Sequence, residues 1–282
     1  MTFVSFSNPS RGRVAETAIT DARSGVRLLP RKSVTGQRVL GPALVLLVWY
    51  AASAQGWISQ AKLPGPAAVF DSFLELAGSG VLASDMLMSL QRASIGLLIG
   101  VFSGFLLAVL AGLSRLGDSL IDGNIQVKRA IPSLALIPLF IIWLGIGETM
   151  KVMTIALGVM VPIYINTHAA LRGIDRRYVE LGQTLSLSRL GFIRDIVVPA
   201  SLPGFFTGLR LGVTGAWTAL VVVETVNATS GIGYMIGQAR TYGQTEVVLL
   251  GLIVYGFLGF LSDAVVRLIE RRVLSWRQSL DH

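Results

Sequence analysis

The sequence predicts an all-α fold, a polytopic membrane protein with six transmembrane helices. Three observations carry the prediction. The 282 residues are 52% hydrophobic and 14% charged, with a mean hydropathy of +0.66, whereas soluble domains carry about a quarter charged residues. Six stretches approach the ~20 largely apolar residues that a spanning helix requires: about 39–57, 93–113, 130–147, 151–171, 203–225 and 246–266. Lysine and arginine gather in one alternate set of the connections between those stretches.

In chain order, residues 1–37 are rich in Ser, Arg, Thr and Gly with few large apolar side chains, so a loosely ordered tail is expected. A membrane domain over 38–270 follows, and 271–282 form a short second tail. The first span ends in Ala52-Ser53-Ala54 before Gln55, a pattern similar to a signal-peptidase site. Its 38-residue basic leader is long for a signal peptide, and the apolar run continues past that site, which favours an uncleaved helix. Residues 66–78 (PAAVFDSFLELAG) open on Pro66 and mix apolar and acidic positions at helical spacing, as a short interfacial helix does.

Span two carries Gly96, Gly100, Gly104, Ala108 and Gly112, a small residue at every fourth position. Span five repeats the device with Gly204, Gly208, Gly212 and Ala216. Such stripes let backbones approach closely where lipid supplies no hydrophobic drive for association. They serve either packing within one subunit or a seam between two copies. Span three is interrupted by Pro132 and Pro138, which membrane helices tolerate when neighbours satisfy the freed carbonyls. His168 falls near the end of span four and reads as a helix-end residue rather than a ligand.

Charge sets the topology. Nineteen of the 24 lysines and arginines lie in the N-terminal tail, the second-to-third connection, the fourth-to-fifth connection and the C-terminal tail. Lys62, Arg92, Lys151 and Arg240 lie on the opposite side, and Arg210 sits inside span five. Both termini are therefore expected in the cytoplasm, and the net charge of +8 is a topology signal rather than a nucleic-acid footprint.

The spans hold little chemistry. Cysteine is absent, which excludes a disulfide framework, a thiolate metal site and a catalytic thiol. Arg210 and Glu224 are 14 residues apart in span five, about 21 Å along a helix, too far to pair directly. Arg210 has the reach to snorkel to the cytoplasmic mouth and reads as an interfacial arginine or a contact for a passing anion. Glu224 precedes the polar run from Asn227 through Thr229 to Gly233, which is either a gate at the outer mouth or an ordinary loop. No phosphate-binding G-x-x-x-x-G-K-[ST], H-E-x-x-H or G-x-S-x-G motif occurs. Active transport by such a chain needs a partner to drive it.

The connection over 172–200 is the longest internal one on the cytoplasmic side. Its pattern predicts two short helices: one from about Asp175, as N-cap, to Leu187, and one over Arg189 to Val197 capped by Ser188. Leu190, Ile193 and Val197 share a face of the second, Pro199 is expected to stop it, and Pro203 to sit in the first turn of span five. Such a helix suits insertion into a partner's groove or rest on lipid headgroups.

This stretch resembles the EAA loop of bacterial ABC importer permeases, E-A-A, three residues, G, nine residues, I, one residue, L-P. Glu180, Ile196 and Pro199 match at the full spacing, while Leu181, Gly182, Ser186 and Val198 depart from it. Ser186 stands where the family has glycine, which puts the geometry of that turn in question, because serine tolerates a left-handed backbone poorly. Residues 129–148 (RAIPSLALIPLFIIWLGIGE) and 222–240 (VVETVNATSGIGYMIGQAR) are similar to the permeases for sulfonates, taurine, nitrate and related small anions.

The resemblance covers about 40–275 and implies the type I ABC importer permease fold in a bacterial inner membrane. It implies two permease copies, two separate ATPase subunits that hold ATP and magnesium, and an extracytoplasmic binding protein. No cofactor is expected in this chain, and it is not expected to be an enzyme. By the same resemblance Glu180, Gly182, Ser186, Ser188, Arg189, Leu190, Gly191, Ile193, Ile196 and Pro199 form the ATPase-coupling element. Aliphatic sulfonates or taurine are the expected cargo, with nitrate, bicarbonate or a pyrimidine-like precursor as alternatives. A membrane scaffold would share the six spans and the charge bias but has no need of the Glu180–Pro199 spacing.

Overall fold

The computed structural model describes residues 37–57 and 59–276, which form helices and turns with no strand among the described residues. The tail expected over 1–37 lies outside them except for Gln37, as does 277–282 of the second tail. The chain divides at Trp49/Tyr50 into an N-terminal unit and a body. The described part of the N-terminal unit, 37–49, lies wholly within α1 (Gln37–Ala54), with Pro42 inside it. Its apolar stretch Leu40–Ala54 is shorter than the other apolar helices, and Leu40, Leu44, Leu46 and Leu47 are exposed.

The body opens with α2 (Pro66–Gly78), which forms over the residues expected of it with proline in the permitted first turn. It packs on α3 (Val81–Gly112) and on the final helix α11 (Thr245–Val273). Between them come α4 (Arg115–Ala130), α5 (Ser133–Leu144), α6 (Glu148–Arg172), α7 (Arg176–Thr184), α8 (Arg189–Phe192), α9 (Val198–Asn227) and α10 (Ile232–Thr241).

Four helical segments are long and apolar enough to cross a membrane, and five if the bent pair α4–α5 counts as one span. The expected third span over 130–147 falls on this bent pair rather than on one straight helix. Ile131 is held extended (φ −96°, ψ 117°) before Pro132, and α5 leaves α4 at 90°. Gly145, at φ +76°, then ends α5 after Leu144. The apolar run was visible in sequence, but its prolines break it into a half-length helix.

The centre is α6, sandwiched between α3 and α9. Both glycine stripes face it. A Cβ on Gly100 would lie 2.6 Å from the Ala156 carbonyl oxygen, and one on Gly208 would lie 2.7 Å from the Pro162 carbonyl oxygen. Both stripes therefore serve close packing within one subunit, the first of the two readings left open by the pattern. At one end of this sandwich Ala108, Ala111, Ile125 and Tyr164 form a buried apolar cluster. α10 lay outside the expected elements, yet its buried Ile232, Met235, Ile236 and Ala239 recur at helical spacing.

Candidate functional site

Two constructions stand at opposite ends of α6, whose 25 residues span about 37 Å. One is the α7–α8 hairpin beyond Arg172. The Asp175 side chain caps α7 by accepting from the Arg177 N–H at 2.9 Å. The helix ends at Thr184, three residues short of expectation, because Ser186 turns left-handed at φ +51°. The Leu187 N–H then donates to the Gly182 carbonyl and the Ser186 N–H to the Gln183 carbonyl, both at 3.0 Å. These two bonds define a Schellman turn, with Ser186 in the position glycine favours. The geometry that Ser186 put in question is thus the one a glycine would make.

An L-residue held left-handed costs about 1–2 kcal/mol, and glycine gives back part of this through the unfolded chain. Ser186→Gly is expected to stabilise the protein by about 0.5–1 kcal/mol, read as a higher melting temperature in detergent. An unchanged or lower melting point would show that the turn carries no strain.

Ser188 caps the second helix, accepting from the Gly191 N–H at 3.2 Å. Pro199 does not stop that helix, contrary to expectation. Ile193–Val197 form one wide π-type turn, and the helix continues through Pro199 and Pro203 as α9. A proline ring lacks an N–H and crowds the carbonyl four residues before it, and a wide turn relieves that crowding. Gly182 fixes the hairpin's closure: a Cβ there would meet Phe192 Cδ2 at 2.7 Å and Ile196 Cδ1 at 3.4 Å. Phe192 was not anticipated, since the loop pattern does not mark that position. Val197 is buried, Ile193 and Ile196 are half-buried, and Glu180, Ser188, Arg189 and Leu190 are exposed. Leu113, Val179, Gln183, Leu187 and Phe192 help line a shallow groove of about 560 Å³ beside the hairpin.

The second construction lies at the α10 end, around Glu224. This carboxylate is buried and accepts from Ser89 Oγ at 2.7 and 2.9 Å and Arg92 Nη1 at 2.8 Å. It also accepts from Tyr255 OH at 2.7 Å and the Gly233 N–H at 2.9 Å. The Ile232 N–H donates to Ser89 Oγ at 2.9 Å, and the Gly231 N–H to Asp85 at 2.7 Å. Three of the amides that open α10, those of Gly231, Ile232 and Gly233, therefore meet side-chain oxygens, as a helix N-terminus requires. Arg92 also holds the Ser230 carbonyl at 2.6 Å.

Gly231 runs at φ +106°, and a Cβ there would press on Arg92 Nη1 at 2.7 Å. The segment considered as a gate or a loop is thus clamped into the bundle. Thr229 is exposed beside it, and Asn227 ends α9. Arg92 completes its bonding with a two-pronged pair to Glu148, at 2.6 and 2.8 Å, and Lys151 joins Glu148 at 2.8 Å.

Arg210 is not part of this cluster. It pairs with Asp263 at 3.3 Å on the α9–α11 seam, and Asp263 also pairs with Arg267. His168 is buried rather than a bare helix end. Its Nε2 lies 3.0 Å from Asp118, and its ring stacks on Tyr164 with centroids 5.2 Å apart. No grouping of His, Asp or Glu able to hold a metal ion occurs among the described residues. The cluster's partners of Glu224 escaped the sequence reading, which took Arg92 and Lys151 for span-end charges. A signal existed: Asp85, Ser89 and Arg92 continue the Gly96–Gly100–Gly104 face at helical spacing.

The family described as binding-protein-dependent transport system inner membrane component matches residues 96–275. A putative aliphatic sulfonates transport permease protein of Bacillus subtilis (strain 168) is 38% identical over 243 residues, 86% of this chain and 88% of the relative. Its namesake in Escherichia coli (strain K12) is 42% identical over 235 residues, 83% and 89% of the two chains. The taurine transport system permease protein of the same strain is 32% identical over 239 residues, 83% and 87% of the two chains. A crystal structure of an amino acid ABC transporter with histidines superposes with a TM-score of 0.58 at 17% identity, covering 71% of this chain and 97% of that one. At that identity the likeness concerns the fold alone.

Proposed function

This chain belongs to the family of binding-protein-dependent transport system inner membrane components, and from that membership we propose the membrane-spanning permease of an ATP-driven importer for aliphatic sulfonates or taurine. Two copies form the pathway. Two separate ATPase subunits hold ATP and magnesium and carry out the hydrolysis, and a binding protein delivers cargo to the outer face. The chain sits in a bacterial inner membrane with both termini cytoplasmic, as its charge bias favours.

The observation that carries the coupling is the hairpin itself. Its inner face is closed by Gly182 against Phe192 and Ile196, with Val197 buried beyond them, while Leu190 and Arg189 are exposed. The helix over 188–197 seats in a groove of the ATPase, with Glu180 and Ser186 shaping the turn before it. Since α8 runs on into α9 without a stop, a push on the hairpin moves a membrane helix as one body, the kind of shift that switches access. At the far end Glu224 anchors a gate segment whose rim carries Asn227 and Thr229, and Arg210 stands on the α9–α11 seam.

The test is ATP-dependent uptake of radiolabelled ethanesulfonate and taurine into proteoliposomes holding the permease, its ATPase and its binding protein. Uptake of either that stops without ATP supports the reading. Uptake independent of ATP, or of neither solute, overturns it.

A further inference from the structure

Glu148 differs from the other carboxylates of the Glu224 cluster. Its side chain is 54% exposed, yet the two cations it pairs with, Arg92 and Lys151, are each 3% exposed. Two buried positive charges thus meet in one place, and that place is filled from the surface. Arg92 keeps Glu224 as a second partner, whereas Glu148 is the acidic partner of Lys151 among the described residues. A buried ammonium without an anion is costly, so this position requires one negative charge but does not require that it be Glu148.

The backbone that carries Glu148 is loosely framed. It follows Gly145 and Gly147, where an added Cβ would have no neighbour within 4 Å, and Ile146 between them is exposed. The carboxylate is also the first residue of α6, whose free amides favour an anion at that spot.

We infer that Arg92 and Lys151 form an oxyanion site at the amino end of α6, in which Glu148 is a displaceable occupant that yields to a singly charged oxyanion such as a sulfonate or nitrate. The inference rests on the anion-import reading for why such an ion reaches this end. The arginine fork and the ammonium offer three donors to the incoming oxygens, as they now do to the carboxylate. Charge decides the class of ligand. With Glu148 swung out, a monoanion restores the one negative charge that Arg92 and Lys151 lose with it. Sulfate would add a second negative charge beside Glu224 and Asp85, which lie within the same cluster. The exchange therefore favours monoanions over dianions.

The test uses the purified permease–ATPase complex without the binding protein, in equilibrium dialysis with radiolabelled ethanesulfonate. Glu148→Gln is expected to bind the probe at least about tenfold more tightly than the wild type, and Lys151→Gln on that background to remove the gain. Unlabelled nitrate should displace the probe about tenfold better than sulfate. Glu148→Ser, which vacates the position without filling it, should behave as Glu148→Gln does. No gain in either variant, a gain that survives Lys151→Gln, or sulfate competing as well as nitrate would each overturn the inference. So would failure of both variants to fold, since a displaceable carboxylate is not required by the fold. If the gain appears but wild-type proteoliposomes import no sulfonate, the site stands and the substrate reading falls. If sulfonate is imported and no gain appears, the reverse holds.

Discussion

Leu190→Asp is expected to abolish ATP-driven uptake while leaving the permease folded. Leu190 is 77% exposed on the turn after the Ser188 cap, and substitutions at such positions usually change stability by less than about 0.5 kcal/mol. On the proposed seating in an apolar groove of the ATPase, burying the leucine would contribute about 1.5–3 kcal/mol to the contact, and an aspartate in its place would add the penalty of an unpaired charge. The combined loss corresponds to an affinity lower by roughly 30-fold to 1,000-fold per contact. Two such contacts in the assembly compound it. Pull-down of the ATPase with the tagged permease reads the effect directly, and a melting curve of the variant alone confirms that the chain is intact. Leu190→Ala should fall between, since it removes the apolar contact without adding charge. Unchanged ATPase recovery with Leu190→Asp would mean that the helix lies elsewhere, on lipid for instance.

Much of this hairpin was legible in the sequence because its determinants are local. Asp175 and Ser188 cap the helices they precede, and cap chemistry depends on a residue and its next three neighbours. The role of Gly182 was not legible, because the atoms it makes room for belong to Phe192, ten residues away and across a turn. Pro199 misled for a related reason. A local rule ends a helix there, but a widened turn tied to continuous packing carries it through. The glycine stripes announced close packing, while only the fold shows that both converge on α6. The Glu224 cluster was least legible of all. Glu224 reaches partners on α3, α10 and α11, and a sequence scan that looks for charged pairs within one span cannot join Arg92, Glu148 and Glu224.

Glu224→Ala is expected to be the most destabilising single change in the described chain. The carboxylate takes four kinds of donor, from Ser89, Arg92, Tyr255 and the Gly233 amide, at 2.7–2.9 Å. Removing one partner of a buried ion pair typically costs about 3–5 kcal/mol, because the remaining charge stays buried without compensation. Here Arg92 retains Glu148, which moderates the loss, but Tyr255, Ser89 and the Gly233 amide lose their acceptor together. At about 2–4 °C per kcal/mol for a chain of this size, the melting point should fall by roughly ten degrees. Glu224→Gln keeps one carbonyl oxygen for the Gly233 amide and the Tyr255 hydroxyl, and its smaller penalty should lie near 1–3 kcal/mol. Because the clamp fixes residues 230–233, the alanine variant should also become cleavable by protease in that segment, well before the helices themselves unfold. A Glu224→Ala protein that melts with the wild type and resists cleavage at 228–233 would show that α10 is held by its apolar face alone. The ordering Ala, then Gln, then wild type, in both melting point and protease resistance, is what a clamp built on this one carboxylate requires.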